Sequence, residues 1–157
     1  MEKILINDLL KQVEAEQRKF GYAPQSGATE QQLVDLGHSV QLEFGENVPP
    51  GYLEFLRIVN GFEWDGAMIY PSQTTKYAGH PDRIFYGFID QNIVFREPLD
   101  MRDYLLLGED NMDIYVYQIS TGKFEVRDRV PFDNLSRTYF SFDELVVHAL
   151  KRSLNID

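Results

Sequence analysis

Apolar positions recur at a helical period through the first 44 residues. Leu5, Leu9, Val13 and Phe20 form one stripe and predict a helix over residues 2–20, with the charged positions facing water. Residues 21–27 (GYAPQSG) have the composition of a loop. Thr29, with Gln32 three residues later, is a capping-box pattern that opens a second helix. Leu33, Leu36, Val40 and Phe44 would be its buried face, and Gly45 would end it. Pro49-Pro50 then precedes Tyr52, Phe55, Leu56 and Val59, a short third helix stopped by Asn60-Gly61.

Beyond that stop the period changes. Phe62, Trp64, Met68, Ile69 and Tyr70 crowd around the turn dipeptide Asp65-Gly66, and Ala67–Tyr70 reads as a strand closed by Pro71. Residues 72–81 are polar and turn-rich, which predicts an exposed loop. Residues 84–96 fit either a helix or two short strands, with the balance towards a helix over Phe88–Phe95. Tyr104–Leu107 is a short apolar strand bounded by Gly108. Ile114–Ile119 and Lys123–Asp128 pair across Ser120-Thr121-Gly122, a hairpin signal. Ser141 and Glu144 form another capping box, opening a last helix with Phe142, Leu145, Val146, Ala149 and Leu150 inward. Helices followed by hairpin-linked strands imply one α+β domain with a largely antiparallel sheet, not an alternating doubly wound fold.

Composition narrows the function classes. A chain of 157 residues, 43% hydrophobic, can bury a core without staples. Cysteine is absent, which removes thiolate chemistry and suits a reducing, cytoplasmic setting. The start, Met1-Glu2-Lys3-Ile4, lacks a signal-peptide pattern, and no apolar run approaches a membrane span. The net charge of −10 argues against direct binding of nucleic acid and favours solubility or a basic partner. Acids are concentrated in residues 41–66, where Glu43, Glu46, Glu54, Glu63 and Asp65 face Arg57 alone.

Candidate chemistry is thin. His38, His80 and His148 are far apart and match no metal-ligand spacing. In their amphipathic helices, His38 and His148 are expected to be partly buried structural residues. His80 lies in a Gly-His-Pro loop with no neighbour that marks it as a base. Glu63 with Asp65, or Glu109 with Asp110 and Asp113, could supply a carboxylate pair for hydrolysis, but acids in turns are usually just solvated. The run from Glu109 to Asp113 is faintly like a calcium loop, yet lacks the required glycine and final glutamate. No metal or cofactor is expected. Trp64, between two acids in a turn, is either a core anchor or an interface residue.

Three blocks together resemble the SUKH superfamily, which includes a yeast cell-wall-synthesis regulator domain and many bacterial immunity proteins. VPPGYLEFLRIVNGFEWDGAMIYPS is similar to its proline, aromatic-helix and Asn-Gly corner, YLLLGEDNMDIYVYQISTGKFEVRDR to its central strand and hairpin, and YFSFDELVVHAL to its closing helix. The small YrhA-like branch is the nearest resemblance, spanning residues 48–150. It implies a twisted, largely antiparallel sheet flanked by two N-terminal helices, a short third helix and a C-terminal helix. Tyr52, Phe55, Asn60, Gly61, Gly66, Gly108 and Phe142 carry over as fold determinants, and no binding residue transfers by motif. It also implies a non-enzymatic immunity protein that neutralises a cognate toxin, with a basic nuclease as the expected partner and no membrane involvement. Negative charge would steer such an encounter, raising association from about 10⁵–10⁶ to about 10⁸–10⁹ M⁻¹s⁻¹ at low salt. The expected binding face comprises Glu63, Trp64, Asp65, Tyr70, Glu109, Asp110 and Asp113. Two rival functions remain, a scaffold of the same superfamily and a carboxylate-dependent hydrolase. A small-ligand binder is neither supported nor excluded by the sequence.

Overall fold

In the computed structural model, which describes residues 2–156, helix boundaries fall where the caps place them; Met1 and Asp157 lie outside the described residues. Helix α1 covers Glu2–Lys19 and α2 covers Glu30–Phe44. The Thr29 side chain accepts from Gln32 N at 3.1 Å while Gln32 Oε1 accepts from Thr29 N at 2.9 Å, a complete capping box. Gly45 closes α2 in the left-handed region, as expected. Helix α3, Tyr52–Ile58, ends differently from expectation: Val59 turns the chain extended, and Asn60 is buried with Oδ1 accepting from Ser72 N at 2.8 Å. Gly61 has φ 82°, and a Cβ there would stand 2.7 Å from Pro71 N, so the position requires glycine for close passage of two chain segments.

The strands are β1 (Phe62–Trp64), β2 (Ala67–Ile69), β3 (Thr75–Tyr77), β4 (His80–Phe85), β5 (Tyr104–Glu109), β6 (Asp113–Gln118), β7 (Lys123–Asp128) and β8 (Leu135–Tyr139). The remaining helices are α4 (Phe88–Phe95) and α5 (Phe142–Ser153), with a single 3₁₀ turn at Leu99–Met101. Six strands form one sheet in the order β1-β2-β5-β6-β7-β8, with antiparallel neighbours throughout, and β3-β4 make a separate hairpin. The molecule is an α+β fold.

The sheet carries apolar clusters on both faces. The larger joins α1, α2, α3 and α5 to Ile69, Leu105, Leu107, Tyr115, Phe124 and Val126. The smaller holds Tyr70, Leu106, Ile114 and Val116, with Phe95 and Phe132 packed against it. Successive β5 residues supply opposite clusters, as the two-residue strand period requires.

Several local expectations are corrected. The buried stripe of α1 is Ile6, Leu9, Leu10, Val13 and Gln17, whereas Leu5 and Phe20 are exposed. Phe20 lies past the last helical residue and packs beside Trp64. His38 is exposed, not partly buried. Residues 72–81 are not a plain loop: Ser72 is buried and Thr75–Tyr77 pairs with β4. Gly108 does not bound β5 but sits within it at a bulge, where a Cβ would come within 2.2 Å of Met68 O on the adjoining strand. Strands β1 and β8, and most of β4, lie where the sequence pattern predicts no strand.

Candidate functional site

Asp65 (φ 49°) and Gly66 (φ 85°) both occupy the left-handed region, making the two-residue turn that joins β1 to β2. A Cβ on Gly66 would stand 2.5 Å from Asn111 Oδ1, so this turn abuts the β5–β6 turn. The two acidic turns singled out in the sequence therefore lie side by side at one end of the sheet.

Their side chains part company. Glu63, Met68, Glu109 and Ile114 are successive cross-strand partners, and Met68 and Ile114 belong to the smaller cluster. Glu63 and Glu109 thus project on that face. Trp64, one residue on from Glu63, projects on the other and packs against the larger cluster.

Around Trp64 an aromatic group assembles from three distant segments. Phe20 lies with its ring centroid 5.7 Å from that of Trp64, Tyr22 meets Trp64 edge-on at 5.9 Å, and Tyr22 packs on His80 at 4.4 Å. Phe20 is 64% exposed and Trp64 half-buried. Phe20, Tyr22 and Trp64, with Glu16, Asp65 and Asn155, border a cleft of about 620 Å³. Asn155 Nδ2 donates to Asp65 Oδ2 at 2.9 Å, and Gln17 Nε2 donates to the Glu63 carbonyl at 3.2 Å, so the middle of β1 and the turn after it are both tied to helical segments.

The remaining acids are engaged by the fold. Glu63 Oε1 lies 3.2 Å from Arg83 Nη2, whose guanidinium also covers the Tyr77 ring. Burial and the nearby Glu63 carboxylate both push the Tyr77 hydroxyl up. Glu109 accepts from Tyr70 Oη at 2.7 Å and from Arg129 Nη2 at 2.7 Å. Asp110 is 3% exposed: Oδ1 accepts from Met112 N and Asp113 N, and Oδ2 from Tyr115 Oη at 2.7 Å. Burial opposes ionisation of Asp110, yet these hydrogen bonds and Arg152 hold it below the usual carboxylate range. Asp113 is shifted the other way by burial and by Asp110, with Arg152 Nη2 at 3.6 Å.

The expected binding face therefore needs correction. Tyr70 is fully buried and Asp110 nearly so, which withdraws both from any contact with a partner. Glu63 and Glu109 each pair with their own arginine, while Asp110 and Asp113 share Arg152, so three cations offset part of the negative potential of these four acids. Asp65 is exposed with no cation within salt-bridge distance among the described residues, and it shares the cleft with Trp64. The acids of residues 41–66 are also scattered. Glu54 pairs with Lys3 at one end of α1, while Trp64 packs with Phe20 just beyond the other, and 18 helical residues span about 27 Å. Phe20 and Tyr22 are members that sequence reasoning missed. No local pattern ties them to a tryptophan on another element.

Among the described residues no clustered His, Asp or Glu group suited to a metal ion occurs, and no helix is long and apolar enough to cross a membrane. No protein-family model matches the chain, and a search of curated proteins finds no match.

Proposed function

We propose that the chain is a SUKH-type immunity protein that binds a cognate bacterial toxin domain and covers its basic active face, without chemistry of its own. The observation that carries this reading is the open aromatic cluster of Phe20, Tyr22 and Trp64 between Glu16 and Asp65. A half-buried tryptophan with a half-buried tyrosine against it, opened by the exposed Phe20, matches the composition of binding hot spots, which are rich in tryptophan and tyrosine. The flanking carboxylates and the net charge of −10 suit a basic partner. Asp110, the acid a hydrolase would use most readily, has both oxygens occupied by backbone amides, Tyr115 and Arg152. That favours binding over hydrolysis.

The test is co-expression with the toxin candidate encoded next to this chain, followed by binding kinetics on the purified pair. Phe20→Ala combined with Glu16→Lys changes the cleft at positions that support little of the core. It is expected to weaken binding by roughly 10- to 100-fold, in keeping with loss of one aromatic anchor and one charge contact, while the melting temperature stays close to wild type. An unchanged dissociation constant in a folded double variant would remove this cleft from the proposal. Substrate turnover by the purified chain, abolished by one side-chain change, would overturn the proposal as a whole.

A further inference from the structure

A second cleft, of about 740 Å³, runs between the first half of α1, strand β8 and helix α5, and shares no lining residue with the aromatic cleft. Its lining carries the three cations Arg137, Lys151 and Arg152 against the two carboxylates Glu2 and Glu144, an excess of positive charge that is unexpected in so acidic a chain. Arg137 from β8 and Lys151 from α5 both line it, and neither has a carboxylate within 4.0 Å among the described residues. Arg152 adds a third cation, already shared with Asp110 and Asp113 at 3.4 and 3.6 Å. The sequence spacing makes this convergence natural: Lys151 and Arg152 fall in the last turn of α5, where the helix dipole favours positive charge.

His148 stands in the same wall. Its Nδ1 is 3.0 Å from Tyr139 Oη, one donating to the other, while Nε2 is buried and has no partner. That nitrogen is closed to solvent and the ring packs edge-on against the buried Tyr115, so His148 anchors the wall and fixes Tyr139 at the cleft. Leu5, Val147 and Ile156 supply apolar surface alongside, and Leu5 is 39% exposed although it lies on a folded helix. Glu2 and Glu144 are the two opposing charges on the lining.

We infer that this cleft is a binding site for a small organic anion, a phosphate or carboxylate group carried on an apolar or aromatic body. Arg137 and Lys151 hold the anion, Tyr139 offers its hydroxyl, His148 sets that hydroxyl's position through Nδ1, and the Leu5–Val147–Ile156 side receives the body. Arginine suits this role because its planar fork matches both carboxylate and phosphate oxygens. The site is independent of the toxin-binding proposal, since it uses none of the aromatic cleft's residues.

The test is a proton NMR titration of the full chain at low salt with phenyl phosphate, benzoate and inorganic phosphate as separate probes. The His148 ring signals, assigned by their loss in His148→Gln, are the reporter. Phenyl phosphate or benzoate is expected to give saturable shifts, whichever binds tighter naming the headgroup, and inorganic phosphate to bind more weakly for want of the apolar contact. Arg137→Gln with Lys151→Gln should weaken binding at least about tenfold, and Glu144→Gln should tighten it. All three positions lie on the molecule's periphery, and a preserved melting temperature certifies the fold. No saturable shift with either aromatic anion, or equal binding by the double variant, would overturn the inference.

Discussion

At the scale of single residues, His148 shows how tertiary surroundings set a side chain's chemistry. Burial pushes its imidazole below the ordinary histidine value, with Arg152 and Arg137 adding to the shift and Asp110 opposing it. The unfolded chain therefore takes up the proton first, near pH 6.5, and the folded chain only at lower pH. Stability from the neutral ring is fully present above that ordinary value and drains away as pH falls through the folded one. Thermal melts between pH 7.5 and 5 should show a steeper loss for wild type than for His148→Gln. Parallel melting curves would show that the ring does not take part. The sequence placed His148 correctly on an amphipathic helix, but His38, on a less strongly amphipathic one, is exposed. Periodicity fixes the face of a helix only to within a residue or two, and a histidine at the edge of that face can fall either way. Tyr70 and Asp110 teach the same lesson from the other side. Tyr70 is buried against Leu106, Ile114 and Val116 from distant strands, and Asp110 is enclosed by its own turn, Tyr115 and Arg152.

At the scale of elements, Asn92 does what no strand is placed to do. Strand β2 pairs with β5 only at Met68–Glu109 and Ile69–Gly108, followed by one bond from Tyr70 N to Leu107 O. One residue further along β5, the Asn92 side chain takes over, accepting from Leu106 N at 2.7 Å and donating to Leu106 O at 2.9 Å. It thereby ties α4 to the sheet and satisfies two buried main-chain groups. Asn92→Leu, similar in volume, leaves both groups unpaired and should cost about 2–4 kcal/mol in chemical denaturation. A loss well below 1 kcal/mol would mean that water or local movement replaces the amide. The sequence located α4 to its terminal residues, yet could not show that an asparagine in its middle serves as a pairing partner for β5. The opposite failure occurred at β3 and β8. Their polar, exposed residues carry little strand pattern, and pairing with a neighbour supplies what local preference lacks.

At the scale of the whole molecule, negative charge and its arrangement are separate properties. The chain's excess of ten negative charges persists in the fold, but arginines from β4, α5 and the segment after β7 stand beside four of the acids first assigned to the binding face. What remains for a basic partner is long-range steering from the molecule as a whole and short-range contact at the Phe20–Trp64 cleft. These two contributions respond differently to salt. Raising ionic strength from 50 to 500 mM should slow association with the cognate toxin by about tenfold or more while changing dissociation much less, read by stopped-flow mixing. A flat association rate would eliminate steering and leave the aromatic contact to act alone.

The sequence by itself determined the helix starts, the hairpin through Ser120–Gly122, the α+β class and the acidic balance. Each of these depends on short-range rules: a cap touches the next turn, a turn residue sets its own backbone, and charge is a count. Only the tertiary structure decided that Phe20 and Tyr22 join Trp64, that Tyr70 and Asp110 are withdrawn from solvent, and that Arg137, Lys151 and His148 line one cleft. Those outcomes depend on which faces of separate elements meet, a matter of packing geometry that no local pattern of residues records.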